Sequence, residues 1–132
     1  MGNMIRGLTL TIFLSVILFS CSKSNEDKLV GSWQLDLSKV LHPEANIIYT
    51  FNSDKTFILS YKLIHKNIEH NPYGLGQLED EIGAWKLNEA TMEICLGESI
   101  ETLDECATIT SIDDHRFCLD TREKINCFDK YK

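Results

Sequence analysis

The 132-residue sequence predicts an all-β domain, a small antiparallel up-and-down β-barrel of about eight strands, preceded by a signal peptide. Three observations carry this reading. Past residue 20, apolar side chains recur at every second position and helical periodicity is nearly absent, as in antiparallel strands buried on one face. The runs are short and separated by turn-forming clusters such as Asn52-Ser53-Asp54-Lys55 and Asp113-Asp114, the spacing of a sandwich or barrel. Eight or nine sequential strands would leave costly unpaired edges, and closing the sheet removes them.

The elements follow in chain order. A short start with one basic residue, Arg6, precedes an uncharged apolar run from Gly7 to Phe19. That run is shorter than the roughly 20 residues a spanning helix needs and suits a signal-peptide core. The stretch ends Leu18-Phe19-Ser20-Cys21, which resembles the lipobox of bacterial lipoproteins, where a small residue precedes a cysteine that is acylated and becomes the new N-terminus. Leu18, Ser20 and Cys21 fit the pattern and the bulky Phe19 departs from it. The alternatives are an uncleaved anchor helix or a cut elsewhere. The resemblance implies residues 1–20 as signal peptide and Cys21 as lipid anchor, with more than one acyl (palmitate-type) chain and hence stable anchoring. Residues 21–28 then form the lipidated cysteine and a polar tether (Ser22 to Lys28), and 29–132 the barrel.

Strands are expected near 31–37, 46–52, 56–63, 76–80, 83–88, 91–97, 102–111, 115–120 and 124–130. Trp33, Leu35 and Leu37 alternate with polar neighbours, as do Phe57, Leu59, Tyr61 and Leu63, and Met92, Ile94 and Leu96. Residues 38–45 are expected as a short helix or lid, since Pro43 excludes a strand there. Apolar residues make up 43% and charged residues 25%, which excludes collagen, a disordered tail and a polytopic membrane protein. Acidic groups outnumber basic ones 20 to 13, leaving −7, which argues against a nucleic-acid partner.

Leu29-Val30-Gly31-Ser32-Trp33-Gln34-Leu35 resembles the opening Gly-x-Trp strand of lipocalins and fatty-acid-binding proteins. Residues 48–57 are similar to the second hairpin of lipocalin-like lipoproteins of Bacteroidetes-type bacteria, and Gly83-Ala84-Trp85-Lys86-Leu87 to their second Gly-x-Trp strand. The order of lipobox, tether and two such strands spans nearly the whole chain. The Thr-Asp-Tyr-like motif of larger lipocalins is missing, and no arginine matches the one that covers their tryptophan. The resemblance implies a calycin-type barrel on an outer-membrane lipoprotein, at its periplasmic or surface face, binding a small apolar or amphipathic ligand. The alternative, from a different class, is a solid-packed barrel that contacts another envelope protein.

Cys95, Cys106, Cys118 and Cys127 allow three disulfide pairings. A turn centred on Ile100-Glu101 places Cys95 opposite Cys106, and one centred on Arg122-Glu123 places Cys118 opposite Cys127. Each pair would sit about 4.5–5.5 Å apart at Cα, within disulfide range. Both bridges are expected to face outward, opposite the Ile94/Leu96 and Phe117/Leu119 faces. The spacings lack the close pairs of zinc sites and there is no Cys-x-x-Cys.

No catalytic signature emerges, so no enzyme, cofactor or metal site is expected. His65, Glu69 and His70 have the wrong spacing for a metallopeptidase and run into the loop-like Asn71-Pro72-Tyr73-Gly74. Glu79-Asp80-Glu81 and Asp104-Glu105 read as a solvated acidic rim; no calcium-type loop accompanies them. Trp33, Tyr49, Phe57, Tyr61 and Trp85, with Phe51, are the candidates to line a ligand cavity, against the simpler role of filling a small barrel. Tyr49 and Tyr61 stand out because a buried phenol needs a hydrogen-bond partner.

Overall fold

A computed structural model describes residues 22–41, 43, 45–64 and 79–132. The apolar alternation becomes eight antiparallel strands: β1 (Gly31–Leu35), β2 (Ala45–Phe51), β3 (Thr56–Leu63), β4 (Glu81–Asn88), β5 (Glu93–Gly97), β6 (Leu103–Ile112), β7 (Arg116–Asp120) and β8 (Ile125–Lys130). Each pairs with the next in sequence, and β8 returns to β1, so the sheet closes into an up-and-down barrel. At the seam Trp33 faces Lys130 and Leu35 faces Phe128. The expected fold class holds.

Three local expectations differ. The strand expected at 76–80 falls partly outside the described residues, and Glu79 and Asp80 are not in a strand; pairing starts at Glu81, two residues earlier than expected for the next strand. Residues 38–41 form a turn, with Val40 N–H donating to the Leu37 carbonyl at 2.9 Å, while His42 and Glu44 lie outside the described residues. The polar run read as a tether is helical over its second half: α1 spans Asn25–Leu29. Ser24 caps it by accepting from Asp27 N–H at 3.1 Å, and Glu26, Asp27 and Lys28 are placed favourably for the helix dipole.

So short a helix is not stable alone; its contacts hold it. Leu29 is fully buried in the core. Glu26 N–H donates to the Glu89 carboxylate at 3.0 Å, its own carboxylate pairs with Lys55, and Asn25 donates to Met92 Sδ. Helix α1 therefore closes the end of the barrel formed by the β2–β3 and β4–β5 turns. The segment 1–20 and Cys21 lie outside the described residues.

The core fills this closed half. Trp33 and Trp85 are fully buried, and each indole N–H finds a carbonyl: Trp33 donates to Leu29 at 2.7 Å and Trp85 to Asn52 at 3.1 Å. Each ring also carries an ammonium on its face, Lys130 at 4.3 Å from the Trp33 centroid and Lys55 at 4.4 Å from that of Trp85. Phe117 packs edge-on to Trp33 and stacks on Phe128, both at 4.8 Å between centroids.

Both cysteine pairings occur as the hairpin argument requires. Cys95 lies opposite Cys106 and Cys118 opposite Cys127, with Cα separations of 4.1 and 4.0 Å and closed S–S bonds. Cys95 also pairs with the exposed Lys86 and Cys118 with the exposed Ser111, so the bridges sit on the outer face of the sheet.

Candidate functional site

Among the described residues, the barrel is not filled above the aromatic layer. A cavity of about 440 Å³ has Phe51, Phe117 and Phe128 as its floor, Ile94, Leu96 and Leu119 as walls, and Tyr49 on one side. At roughly 30 Å³ per water molecule this is room for more than a dozen waters, far beyond a packing defect. A second cavity of about 260 Å³ adjoins it, lined by Phe57, Leu59 and Ile82 among others, and shares Tyr49, Leu96, Asp104 and Glu105 with the first. The two form one cup at the end opposite α1.

The register explains the polar rim. Leu59 on the inner face of β3 pairs with Glu81, and Leu96 on the inner face of β5 pairs with Glu105. Both glutamates thus occupy inward positions at the mouth, where side chains still reach water. Between Leu96 and Gly97 the β5–β6 pairing slips, with Gly97 opposite Leu103. Asp104 becomes the extra residue of a bulge, which re-aims side chains at a sheet edge. Asp104 and Glu105 consequently both line the cup. Gly97 allows this, because a β-carbon there would overlap the Thr102 carbonyl.

The aromatic candidates separate by depth. Tyr49 lines both parts of the cup and Phe57 lines the smaller. Trp33 and Trp85 lie beneath the floor with both N–H groups bonded. Tyr61, opposite Ile47 on the inner face, packs against the core without lining either cavity. Burial, reinforced by Tyr61 and by the Glu105 and Glu81 carboxylates, pushes the Tyr49 phenol above its usual value. Among the described residues no side chain bonds its hydroxyl.

The acidic runs Glu79-Asp80-Glu81 and Asp104-Glu105 converge on the mouth through Glu81, Asp104 and Glu105. His65, Glu69 and His70 lie outside the described residues. Glu93 approaches Cys95 and Cys106, but both sulfurs are committed to their bridge and offer no thiolate. Sequence reasoning missed Asn126 and Thr121, which also line the cup; Asn126 is legible as inward only once it is paired with Leu119. It missed as well the cation over Trp33, which is a lysine on the last strand.

The exposed large apolar side chains also sort by end. Val40, Leu41, Ile64, Ile82, Ile100 and Ile125 all lie in loops or strand ends around the open mouth.

No protein-family model and no curated protein matches the chain. Among solved structures it is similar to an NMR structure of a protein from Bacteroides uniformis, with a TM-score of 0.56 and 18% identity, covering 81% of this chain and 92% of that one. At this identity the likeness is one of fold.

Proposed function

We propose that the protein is an envelope lipoprotein, anchored through acylated Cys21 in the outer membrane, whose lipocalin-like barrel binds one small amphipathic molecule. The observation that carries the ligand reading is the cup, whose larger cavity holds about 440 Å³ over an aromatic floor, with its polar groups gathered at the mouth. That size and lining suit a small-molecule site. The lipobox-like Leu18-Phe19-Ser20-Cys21 supports the anchor. Four Cα steps separate Cys21 from Asn25, a reach of about 14 Å. An eight-residue strand spans about 26 Å, so an anchor at the α1 end leaves the mouth facing away from the membrane that holds it.

Native mass spectrometry of residues 22–132 after mild purification tests the ligand reading: a retained small molecule of constant mass supports it, and a bare chain under every gentle condition opposes it. Membrane partition of Cys21→Ala tests the anchor, which fails if the variant still sediments with membranes.

The second reading, a module that contacts another envelope protein without a small ligand, is favoured by one observation. The exposed apolar residues, Leu41 and Ile82 foremost at 89% and 73% exposure, ring the mouth. A bare barrel that captures one partner protein, with capture lost in Leu41→Ser/Ile82→Ser, would favour this reading.

A further inference from the structure

Resting on the reading of the cup as a ligand site, we propose that its ligand is a cationic amphiphile, with an apolar body on the aromatic floor and an amine or quaternary ammonium at the mouth beside Glu81, Asp104 and Glu105. Inward positions in a solid-packed barrel are apolar, yet the register places Glu81 opposite Leu59 and Glu105 opposite Leu96 on the inner face. The β6 bulge adds Asp104 to the same lining, and Glu98 joins it from the β5–β6 turn. Among the described residues, none that lines either cavity is a lysine, arginine or histidine. Among the described residues no ion pair neutralises any of these carboxylates.

An anionic headgroup entering this mouth would meet four carboxylates and, among the described lining residues, no countercharge. Such a juxtaposition selects against a ligand as strongly as good contacts select for one. A neutral apolar guest would leave the carboxylates without a countercharge. A cation supplies one, and the Tyr49 side chain, which borders both cavities, offers an acceptor oxygen or an aromatic face to the same group.

The test uses residues 22–132, which contain α1, its cap and every strand, with folding checked by circular dichroism. Calorimetric titration at pH 7 compares decyltrimethylammonium and decanoate, each below its micellar concentration, with decanol below its solubility limit. The cation is expected to bind about tenfold or more tightly than the anion, a difference of about 1.4 kcal/mol. In Glu81→Gln/Asp104→Asn/Glu105→Gln this preference disappears while decanol binding stays within about twofold. Because residues 22–132, without Arg6, carry 12 basic and 20 acidic groups, a net −8, a control neutralises three exposed carboxylates away from the cup, Asp27→Asn/Glu93→Gln/Asp114→Asn, and keeps the preference. Equal or tighter binding of decanoate overturns the inference, as does a preference that survives in the mouth variant or vanishes equally in the control. If decanol binds in any of those cases, the cup remains a ligand site and only the charge class is wrong. If none of the three probes binds the folded chain, the ligand reading itself has failed.

Discussion

The ammonium of Lys130 occupies the space that a β-carbon on residue 31 would need. Gly31 also has φ +129°, a conformation closed to most side chains. From there Lys130 donates to the Val30 carbonyl at 3.1 Å and lies over Trp33. One lysine on the last strand thereby ties the first strand, the helix–strand junction and the buried indole together. A half-buried cation–π contact contributes about 1 kcal/mol and a charged hydrogen bond a comparable amount. Lys130→Met should cost about 1–2 kcal/mol in urea unfolding, and Gly31→Ala at least as much. Because both act on one contact, the double variant should be less damaged than the summed single effects. Additive losses would show that the two positions act independently.

Lys55 repeats the arrangement over Trp85 with a different balance. It sits at φ 70°, a conformation costing a non-glycine residue about 1 kcal/mol. Against that it gains the Trp85 face and an ion pair with Glu26, whose side chains are both about a third exposed and therefore screened. Lys55→Gly removes the cation but relieves the backbone, so its denaturation midpoint should lie close to wild type. Lys55→Ala loses the cation without that relief and should be about 1 kcal/mol less stable than the glycine variant. Equal stability of the two variants would show that the backbone strain is absent.

The contrast between the two Gly-x-Trp segments marks how far the sequence could be read. Alternation named the inner face correctly at Trp33 and Leu35, at Phe57, Leu59 and Tyr61, at Ile94 and Leu96 and at Phe117 and Leu119, because a one-residue slip would expose the whole core. The cross-strand cysteines followed from the same period. Yet the two glycines look alike in sequence and serve different ends. Gly31 yields to the Lys130 ammonium, whereas a β-carbon at Gly83 would collide with the Phe57 ring and the Gly97 carbonyl. Helix α1 escaped a periodicity search because five residues hold only one buried side chain, Leu29. The cup was legible only as a list of aromatics. Which of them fill and which line depends on depth along the barrel, and depth is set by the stagger between strands. The convergence of Glu81 with Asp104 and Glu105, distant in sequence, depends on that stagger and on a bulge that no local pattern announces.

Arg116 spans β8 at the closing seam, donating to Asp129 at 2.6 Å and to Asp36 at 2.8 Å. Its hydrogen bond, with that of the Ser38 N–H, holds Asp36 well below the usual carboxylate range. Thr56 lowers Asp54 in the same sense, and the N–H groups of His115 and Arg116 lower Asp113. Groups depressed in the folded state stabilise it above their ordinary value of 3.8 and lose that contribution as pH falls towards the folded value. Asp36→Asn should therefore be less stable than wild type at pH 7, with the two urea midpoints converging between pH 4 and 2. A gap that stays constant over that range would mean that the charge on Asp36 is not what holds the seam.

The two disulfides close loops of sequence separation 11 and 9 on neighbouring hairpins, β5–β6 and β7–β8, whose inner faces supply Leu96, Glu105, Leu119 and Asn126 to the cup. Loops this short restrict the unfolded chain by about 2–3 kcal/mol each. In a domain of this size that is on the order of 10 °C of melting temperature per bridge. Cys95→Ser/Cys106→Ser and Cys118→Ser/Cys127→Ser should each lower the melting temperature by about that amount, and reductant should bring wild type down to the level of the fourfold variant. The bridges lie outside the core, so the barrel itself should survive, and near-ultraviolet dichroism of the buried tryptophans should change little below the lowered transition. A melting temperature indifferent to reductant would contradict this assignment, and loss of the tryptophan signal in either variant at 20 °C would show that a bridge holds the closed half as well as the hairpin it spans.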